Sequence, residues 1–291
     1  MAAKQINTIC VCGAGTMGSG IAQAAARAGY HTILFDVNTG MLNKSRTVIE
    51  NTLQKLCDKQ KINAKEKETI IKRIDFTEKV EDCTAGIIIE AIIEDKQAKI
   101  GLFNKLAAIN NSDVIFATNT SSISVTEIAL GVMDASRVAG MHFFNPAPVM
   151  KLVEVIKTVH TSDDVVQTII GIALQMGKTP VVCNDSPGFI VNRVARHYYL
   201  EAMRLVEAGL ADIETIDAVM EASGFKMGPF RLMDLIGIDI NYSVSNIVWQ
   251  ALGKPERLMP SPLQKAKVDA GELGRKNGKG FYEYGKDGKE S

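Results

Sequence analysis

Short apolar runs alternate with longer amphipathic stretches over the first two-thirds of the chain, a spacing that predicts βαβ units around a parallel sheet. Strands are predicted at 8–12, 32–36, 86–89, 113–118, 138–142, 152–156 and 180–183. Ile87-Ile88-Ile89 and Val114-Ile115-Phe116 are apolar without interruption, as a strand covered on both faces requires. Between the strands, helices are predicted at 17–28, 40–58, 64–73, 95–109 and 162–175. Strand signals stop after Asp185-Ser186-Pro187-Gly188. The helical period then predicts helices at 189–208, 212–222, 230–250 and 262–271, with loops at 259–262 and 271–291. The division falls near 184–188, giving an α/β domain over 1–185 and an all-helical domain over 186–291.

Composition agrees with that size. The chain has 291 residues, 46% hydrophobic and 23% charged, enough to bury a core in about two domains of roughly 150 residues each. Lys plus Arg equals Asp plus Glu at 33 each. Such a balance excludes the electrostatic footprint of a nucleic-acid binder or a polybasic membrane-surface protein. It leaves room for a local basic pocket that takes a phosphorylated ligand.

Residues 6–26 carry no charge and imitate a signal h-region or a spanning helix. Gly13, Gly15, Gly18 and Gly20 would interrupt such a helix, and Asn7, Thr8, Thr16, Ser19 and Gln23 lie among the apolar positions. The segment therefore reads as a soluble strand–turn–helix. The five cysteines (Cys10, Cys12, Cys57, Cys83, Cys183) form no C-x-x-C pair and are too scattered for a disulfide scaffold. The four histidines show no metal-ligand spacing, so no metal is expected. A reducing, cytoplasmic compartment is expected; the mitochondrial matrix also suits a processed chain.

The uncharged segment holds the first candidate chemistry. Ile9-Cys10-Val11-Cys12 runs into Gly13-Ala14-Gly15-Thr16-Met17-Gly18, and an Ala-rich helix follows. Gly13 permits the tight turn, Gly15 lets backbone approach a pyrophosphate, and Gly18 lets the helix pack closely on the strand. The helix N-terminus supplies N–H groups and partial positive charge to the phosphates. Asp36 closes the next strand, where a carboxylate can accept from both ribose hydroxyls and repels a 2′-phosphate. A Rossmann-like, mostly parallel sheet that binds NAD rather than NADP is the expectation. The plain alternative is a structural glycine turn beside an ordinary strand-end Asp.

A second constellation follows. Val138-Ala139-Gly140-Met141-His142 ends a strand with a histidine before Phe143-Phe144-Asn145-Pro146. Twelve residues on, Glu154 lies inside the apolar strand Leu152-Val153-Glu154-Val155-Ile156. A carboxylate flanked by valines is costly to bury unless paired, and a histidine paired with it would have its tautomer fixed and its basicity raised. Taken singly, His142 also reads as a hydrogen-bonded strand end and Glu154 as an exposed residue on an edge strand.

At these residues the sequence resembles the L-3-hydroxyacyl-CoA dehydrogenases, including the bacterial 3-hydroxybutyryl-CoA dehydrogenases. The likeness rests on Gly13–Gly18, Asn119-Thr120-Ser121-Ser122, His142-Phe143-Phe144-Asn145-Pro146, Lys151-Leu152-Val153-Glu154-Val155 and Pro187-Gly188-Phe189-Ile190-Val191-Asn192-Arg193. Met227-Gly228-Pro229-Phe230 and Gly278-Lys279-Gly280-Phe281-Tyr282 extend it over nearly the whole chain. The resemblance implies a catalytic His142 with Glu154 as its partner, a hydroxyl from Ser121 and a substrate-positioning amide from Asn192. It also implies that Glu94, Lys99, Ser121, Asn145 and Lys276 lie near NAD, and that Thr52 and Lys59 lie near CoA.

The implied reaction exchanges 3-hydroxyacyl-CoA and 3-oxoacyl-CoA by hydride transfer, with His142 as general acid/base. Asn192 comes from the helical domain, so a cleft that closes around the substrate is expected, as is a homodimer through that domain. Alternatives remain at each residue. Ser121 or Ser122 could cap the next helix, Asn192 could be a surface amide, and Lys61, Lys65 and Lys67 fit a solvated face. Two other functions share the motifs: a dehydrogenase of a sugar acid such as gulonate, and a non-enzymatic NAD-binding protein of the same fold.

Overall fold

The computed structural model describes residues 6–285 and 289–290. The chain divides into two units, 1–186 and 187–291. In the first, β1 (Thr8–Cys12), α1 (Thr16–Arg27), β2 (His31–Phe35), α2 (Thr39–Asp58), α3 (Ala64–Lys72) and β3 (Ile74–Thr77) form the opening half. They are followed by β4 (Ile87–Glu90), α4 (Lys96–Ile109), β5 (Ile115–Thr118), α5 (Val125–Leu130) and β6 (Val138–Phe143). The unit ends with β7 (Leu152–Lys157), α6 (Asp163–Gln175) and β8 (Thr179–Asn184).

The eight strands form one sheet in the order β3-β2-β1-β4-β5-β6-β7-β8. All neighbours pair in parallel except β6 and β7. That exception has a simple cause: only residues 144–151 join β6 to β7, whereas a parallel crossover needs about a dozen residues or more. The core consists of fully buried strand residues such as Ile9, Val11, Leu34, Ile87, Ile89 and Val153, covered by the apolar faces of the helices.

Three elements differ from the sequence expectation. Ile74-Asp75-Phe76-Thr77 forms the edge strand β3, whose two apolar residues are too few to signal a strand before β2 pairs with it. A short helix, α5, follows β5 and is capped by Ser124, so neither Ser121 nor Ser122 is its cap. The single helix expected at 230–250 is two helices broken at Gly237.

In the second unit, α7 (Val191–Glu207), α8 (Ile213–Ala222), α9 (Pro229–Ile236), α10 (Ile238–Ala251) and α11 (Pro262–Asp269) pack around Leu200, Met203, Phe230, Met233 and Val248. Gly237 separates α9 from α10 at φ +104°, a conformation in which a helix cannot continue. Among the described residues no helix is long and apolar enough to cross a membrane.

Candidate active site

The parallel strands β1, β2, β4, β5 and β6 all end at one edge of the sheet, where ligands of such folds bind. Gly13, just beyond β1, has φ +104°, and a Cβ there would lie 2.4 Å from the Ala91 carbonyl oxygen. Its N–H donates to the Phe35 carbonyl at 2.7 Å and ties the turn to β2. A Cβ on Gly18 would meet the Gly13 oxygen at 1.7 Å, so α1 rests directly on the loop. Gly15 is different, because a Cβ there meets no heavy atom within 4 Å.

Helix capping sets this loop apart. Helices α2 to α6 are capped by Asn38, Asn63, Asp95, Ser124 and Ser162, each accepting a backbone N–H. Gly15 caps α1 with no side-chain hydrogen bond. The first N–H groups of α1 are left to an anion, which the helix dipole favours. Asp36 is fixed beside them: its Oδ2 accepts from the Ala14 N–H at 2.7 Å and its Oδ1 from the Asn38 N–H at 2.9 Å. Each oxygen keeps a second lone pair, so the carboxylate is oriented and still able to accept. Open space at Gly15, an uncapped helix and an oriented acid fit a dinucleotide.

At the ends of β4 and β5 lies a charged cluster. The Lys99 ammonium, 1% exposed, donates to the fully buried Glu90 carboxylate at 2.6 Å and lies 3.1 Å from Glu94. Thr118 donates to the other Glu90 oxygen at 2.7 Å. Glu94 accepts from the Thr120 hydroxyl at 2.5 Å, the Ser122 hydroxyl at 2.9 Å and the Ser121 N–H at 3.1 Å. Burial pushes the Glu94 carboxyl up, but Lys99 and these hydroxyls prevail and hold it below the usual carboxylate value. Glu94 thus shapes the turn that carries Ser121, and Lys99 is locked inside the fold behind it.

His142 lies on the neighbouring strand. The β6–β7 register sets it opposite Glu154, and its Nδ1 is 2.7 Å from Glu154 Oε2. Both residues are buried, at 5% and 1% exposure. An ionised carboxylate only accepts, so Nδ1 carries the proton it donates to Glu154. The Phe144 ring packs on the imidazole with centroids 4.6 Å apart. Asn119 accepts the Phe143 N–H at 2.8 Å and so joins the Ser121 turn to the end of β6. Beyond it, the buried ammonium of Lys178 donates to the Ala147 and Met150 carbonyls and pins the turn after Asn145.

The structure brings together Gly13–Gly18 with Asp36, Glu94 and Lys99 with the Ser121 turn, and His142 with Glu154. Asn145 is exposed just past β6. Thr52 lies on α2, its hydroxyl donating to the Val48 carbonyl at 2.8 Å, and Lys59 is exposed at the end of that helix. In the second unit, Asn192 stands in the first turn of α7, its carbonyl accepting from Arg196 Nε at 3.0 Å. Lys276 donates to both oxygens of Asp239 at 2.5 and 2.6 Å. Among the described residues no group of three His, Cys, Asp or Glu side chains is placed to hold a metal. Sequence reasoning missed Glu90 and Lys178. For Glu90 the signal existed: a carboxylate closing Ile87-Ile88-Ile89 needs a partner as much as Glu154 does.

An imidazole backed by a carboxylate, at the same sheet edge as a dinucleotide loop, is the equipment of a Rossmann-type oxidoreductase. Comparison with known proteins narrows that class. Residues 8–186 match the family model described as 3-hydroxyacyl-CoA dehydrogenase, NAD binding domain, and residues 188–284 match the model of its C-terminal domain. The chain belongs to the 3-hydroxyacyl-CoA dehydrogenase family.

It is 43% identical over 281 residues to a 3-hydroxyadipyl-CoA dehydrogenase of Escherichia coli K12, covering 96% of this chain and 59% of the relative. It is 41% identical over 276 residues to a "probable 3-hydroxybutyryl-CoA dehydrogenase" of Deinococcus radiodurans, covering 94% and 99%. The crystal structure of a 3-hydroxybutyryl-CoA dehydrogenase from Escherichia coli K12 superposes with TM-score 0.94 at 42% identity, covering 96% of this chain and 60% of that one. The chain therefore spans about three-fifths of the length of two of these proteins.

Proposed function

We propose that the protein is an NAD-dependent dehydrogenase that interconverts (S)-3-hydroxyacyl-CoA and 3-oxoacyl-CoA, with 3-hydroxybutyryl-CoA as substrate. The observation that carries the mechanism is the 2.7 Å contact between His142 and Glu154 at the carboxyl edge of the sheet. Glu154 holds Nδ1–H, so Nε2 is the atom that takes the 3-hydroxyl proton in oxidation and returns it in reduction. Glu154 keeps the ring in one orientation while the proton is on it. NAD, when bound, accepts and returns the hydride.

The remaining residues bind and orient. Gly13, Ala14, Gly15, Thr16, Met17 and Gly18 hold the pyrophosphate, and Asp36 the adenosine ribose. Glu94, Lys99, Ser121, Asn145 and Lys276 form the rest of the nicotinamide nucleotide site, with Glu94 and Lys99 acting through the Ser121 turn. The Ser121 hydroxyl donates to the substrate oxygen, Asn192 orients the substrate, and Thr52 and Lys59 serve the CoA moiety. The helical unit forms a homodimer, and the enzyme works in the cytoplasm.

The names of the relatives favour a CoA thioester over a free sugar acid. Kinetics with NAD, run side by side on 3-hydroxyacyl-CoA thioesters of increasing chain length and on gulonate, test the choice. Turnover of 3-hydroxybutyryl-CoA well above gulonate is expected. Turnover of gulonate alone would overturn it, and tight NAD binding with neither substrate oxidised would favour the non-enzymatic protein.

A further inference from the structure

Glu90 closes the otherwise apolar strand β4 and is fully buried. Its Oε1 accepts from the Lys99 ammonium at 2.6 Å and the Ile92 N–H at 2.8 Å, and its Oε2 accepts from the Thr118 hydroxyl at 2.7 Å. Replacing a buried ion pair by apolar residues of similar volume is often neutral or stabilising, so packing alone does not account for Glu90 and Lys99. Lys99 also lies 3.1 Å from Glu94. The cluster therefore holds two carboxylates and one ammonium, an excess of one negative charge. Lys96, in the first turn of α4, is engaged by Glu127 at 2.8 Å and leaves that excess in place.

The excess stands on the side of the sheet edge where the cofactor changes charge. β4 is the neighbour of β1 on the side away from β2, and β5 follows it. A dinucleotide with its pyrophosphate at the glycine loop and its adenosine ribose at Asp36, after β2, has its nicotinamide half on the β4–β5 side. The loop is tied to that side. Ala91, the residue after Glu90, donates its N–H to the Cys12 carbonyl at 2.7 Å. A nicotinamide ring carries a positive charge when oxidised and none once it has accepted hydride. A fixed negative charge in low-dielectric surroundings attracts the first state and not the second.

We propose that the Glu90–Lys99–Glu94 cluster discriminates between the oxidation states of the cofactor, favouring NAD+ over NADH, and that the buried Glu90 carboxylate supplies the excess charge. The inference rests on the assignment of NAD to this edge of the sheet. Glu90 touches neither substrate nor cofactor and acts at a distance, through its charge. An attraction that vanishes on reduction also lets NADH leave more readily than NAD+.

The test is direct binding, which needs no acyl substrate. Calorimetry gives the Kd of NAD+ and fluorescence that of NADH, for the parent and for Glu90→Gln, which keeps the shape and removes the charge. The ratio of Kd for NADH over Kd for NAD+ should fall about 3- to 20-fold, as one charge acting over roughly 10 Å of protein predicts. Combining Glu90→Gln with Lys99→Met restores an excess of one negative charge, now on Glu94. The ratio in that double variant should return to within about twofold of the parent. A purely structural role would weaken both forms alike and leave the ratio where it is.

A ratio in Glu90→Gln that stays within about twofold of the parent, or rises, overturns the inference even if both affinities drop together. So does a ratio that fails to recover in the double variant; if that variant does not fold, Glu90→Gln decides alone. If Glu90→Gln does not fold, Glu94→Gln removes the same charge from the exposed end of the cluster, and the same fall in ratio is required. A parent that binds neither form overturns the cofactor assignment and the inference with it. A parent that binds both, with the ratio unchanged in the variants, overturns the inference alone.

Discussion

A glutamate between valines on an inner strand has few ways to be tolerated, and here its partners include the His142 imidazole at 2.7 Å. The need for a partner was legible in the sequence, because burying a carboxylate is costly; that the partner is His142 stood there beside plainer readings of both residues. The same argument applied to Glu90 would have asked for a partner, which the fold supplies as Lys99, nine residues on in the next helix. That the Gln23 side-chain nitrogen and the Ser45 hydroxyl are buried without partners was not legible, since only packing shows it.

Two outcomes belong to single residues. Replacing Asp36 by Ser removes the charge that repels a 2′-phosphate while leaving a hydroxyl, so the ratio of kcat/KM for NAD over NADP should drop by about tenfold or more. An unchanged ratio would show that discrimination lies elsewhere. Glu94, whose folded-state pKa is depressed, contributes stability that is present above its ordinary value of 4.5 and lost as pH falls through the folded value. The Tm gap between parent and Glu94→Gln should therefore be widest above pH 4.5 and shrink in more acidic buffer. A gap that widens toward acid would contradict the ion pair with Lys99.

Among elements, β7 decides the site. Its antiparallel pairing with β6 places Glu154 across from His142, and a parallel β7 would have needed a longer connection than residues 144–151 provide. The strands built from continuous apolar runs were readable from sequence, as was the glycine loop. The edge strand β3 was not, because Ile74-Asp75-Phe76-Thr77 gains strand character only by pairing with β2. The break at Gly237 was hidden inside an otherwise helical pattern. There a Cβ would stand 3.1 Å from Asp239 Oδ1 and 3.3 Å from Lys276 Nζ, at φ +104°. Gly237→Ala should cost about 1–3 kcal/mol, read as a lower denaturation midpoint. No loss would show that the helix break is not held by the glycine.

For the whole molecule, 33 positive and 33 negative side chains balance, yet charge is concentrated locally. Asp36 stands beside the open start of α1, Glu90 and Glu94 bracket Lys99, and Lys276 faces Asp239. Neutrality argued against the charge pattern of a nucleic-acid binder but carried no information about these pairs, which depend on how the strands line up. The fold and the family were legible from ordered motifs spread over both units. The roles of residues in the second unit, Asn192 above all, came only from the resemblance.

In the proposed reaction, proton exchange at His142 is coupled to NAD reduction. The most direct measurement is the rate of NADH formation from (S)-3-hydroxybutyryl-CoA by the parent and by His142→Gln, with Tm and NAD affinity recorded for both. The parent should turn over and the variant should lose about 10²- to 10⁴-fold in kcat while keeping its fold and its NAD binding. A folded, NAD-binding variant that retains kcat within a few-fold of the parent would contradict the assignment of His142 as the acid and base.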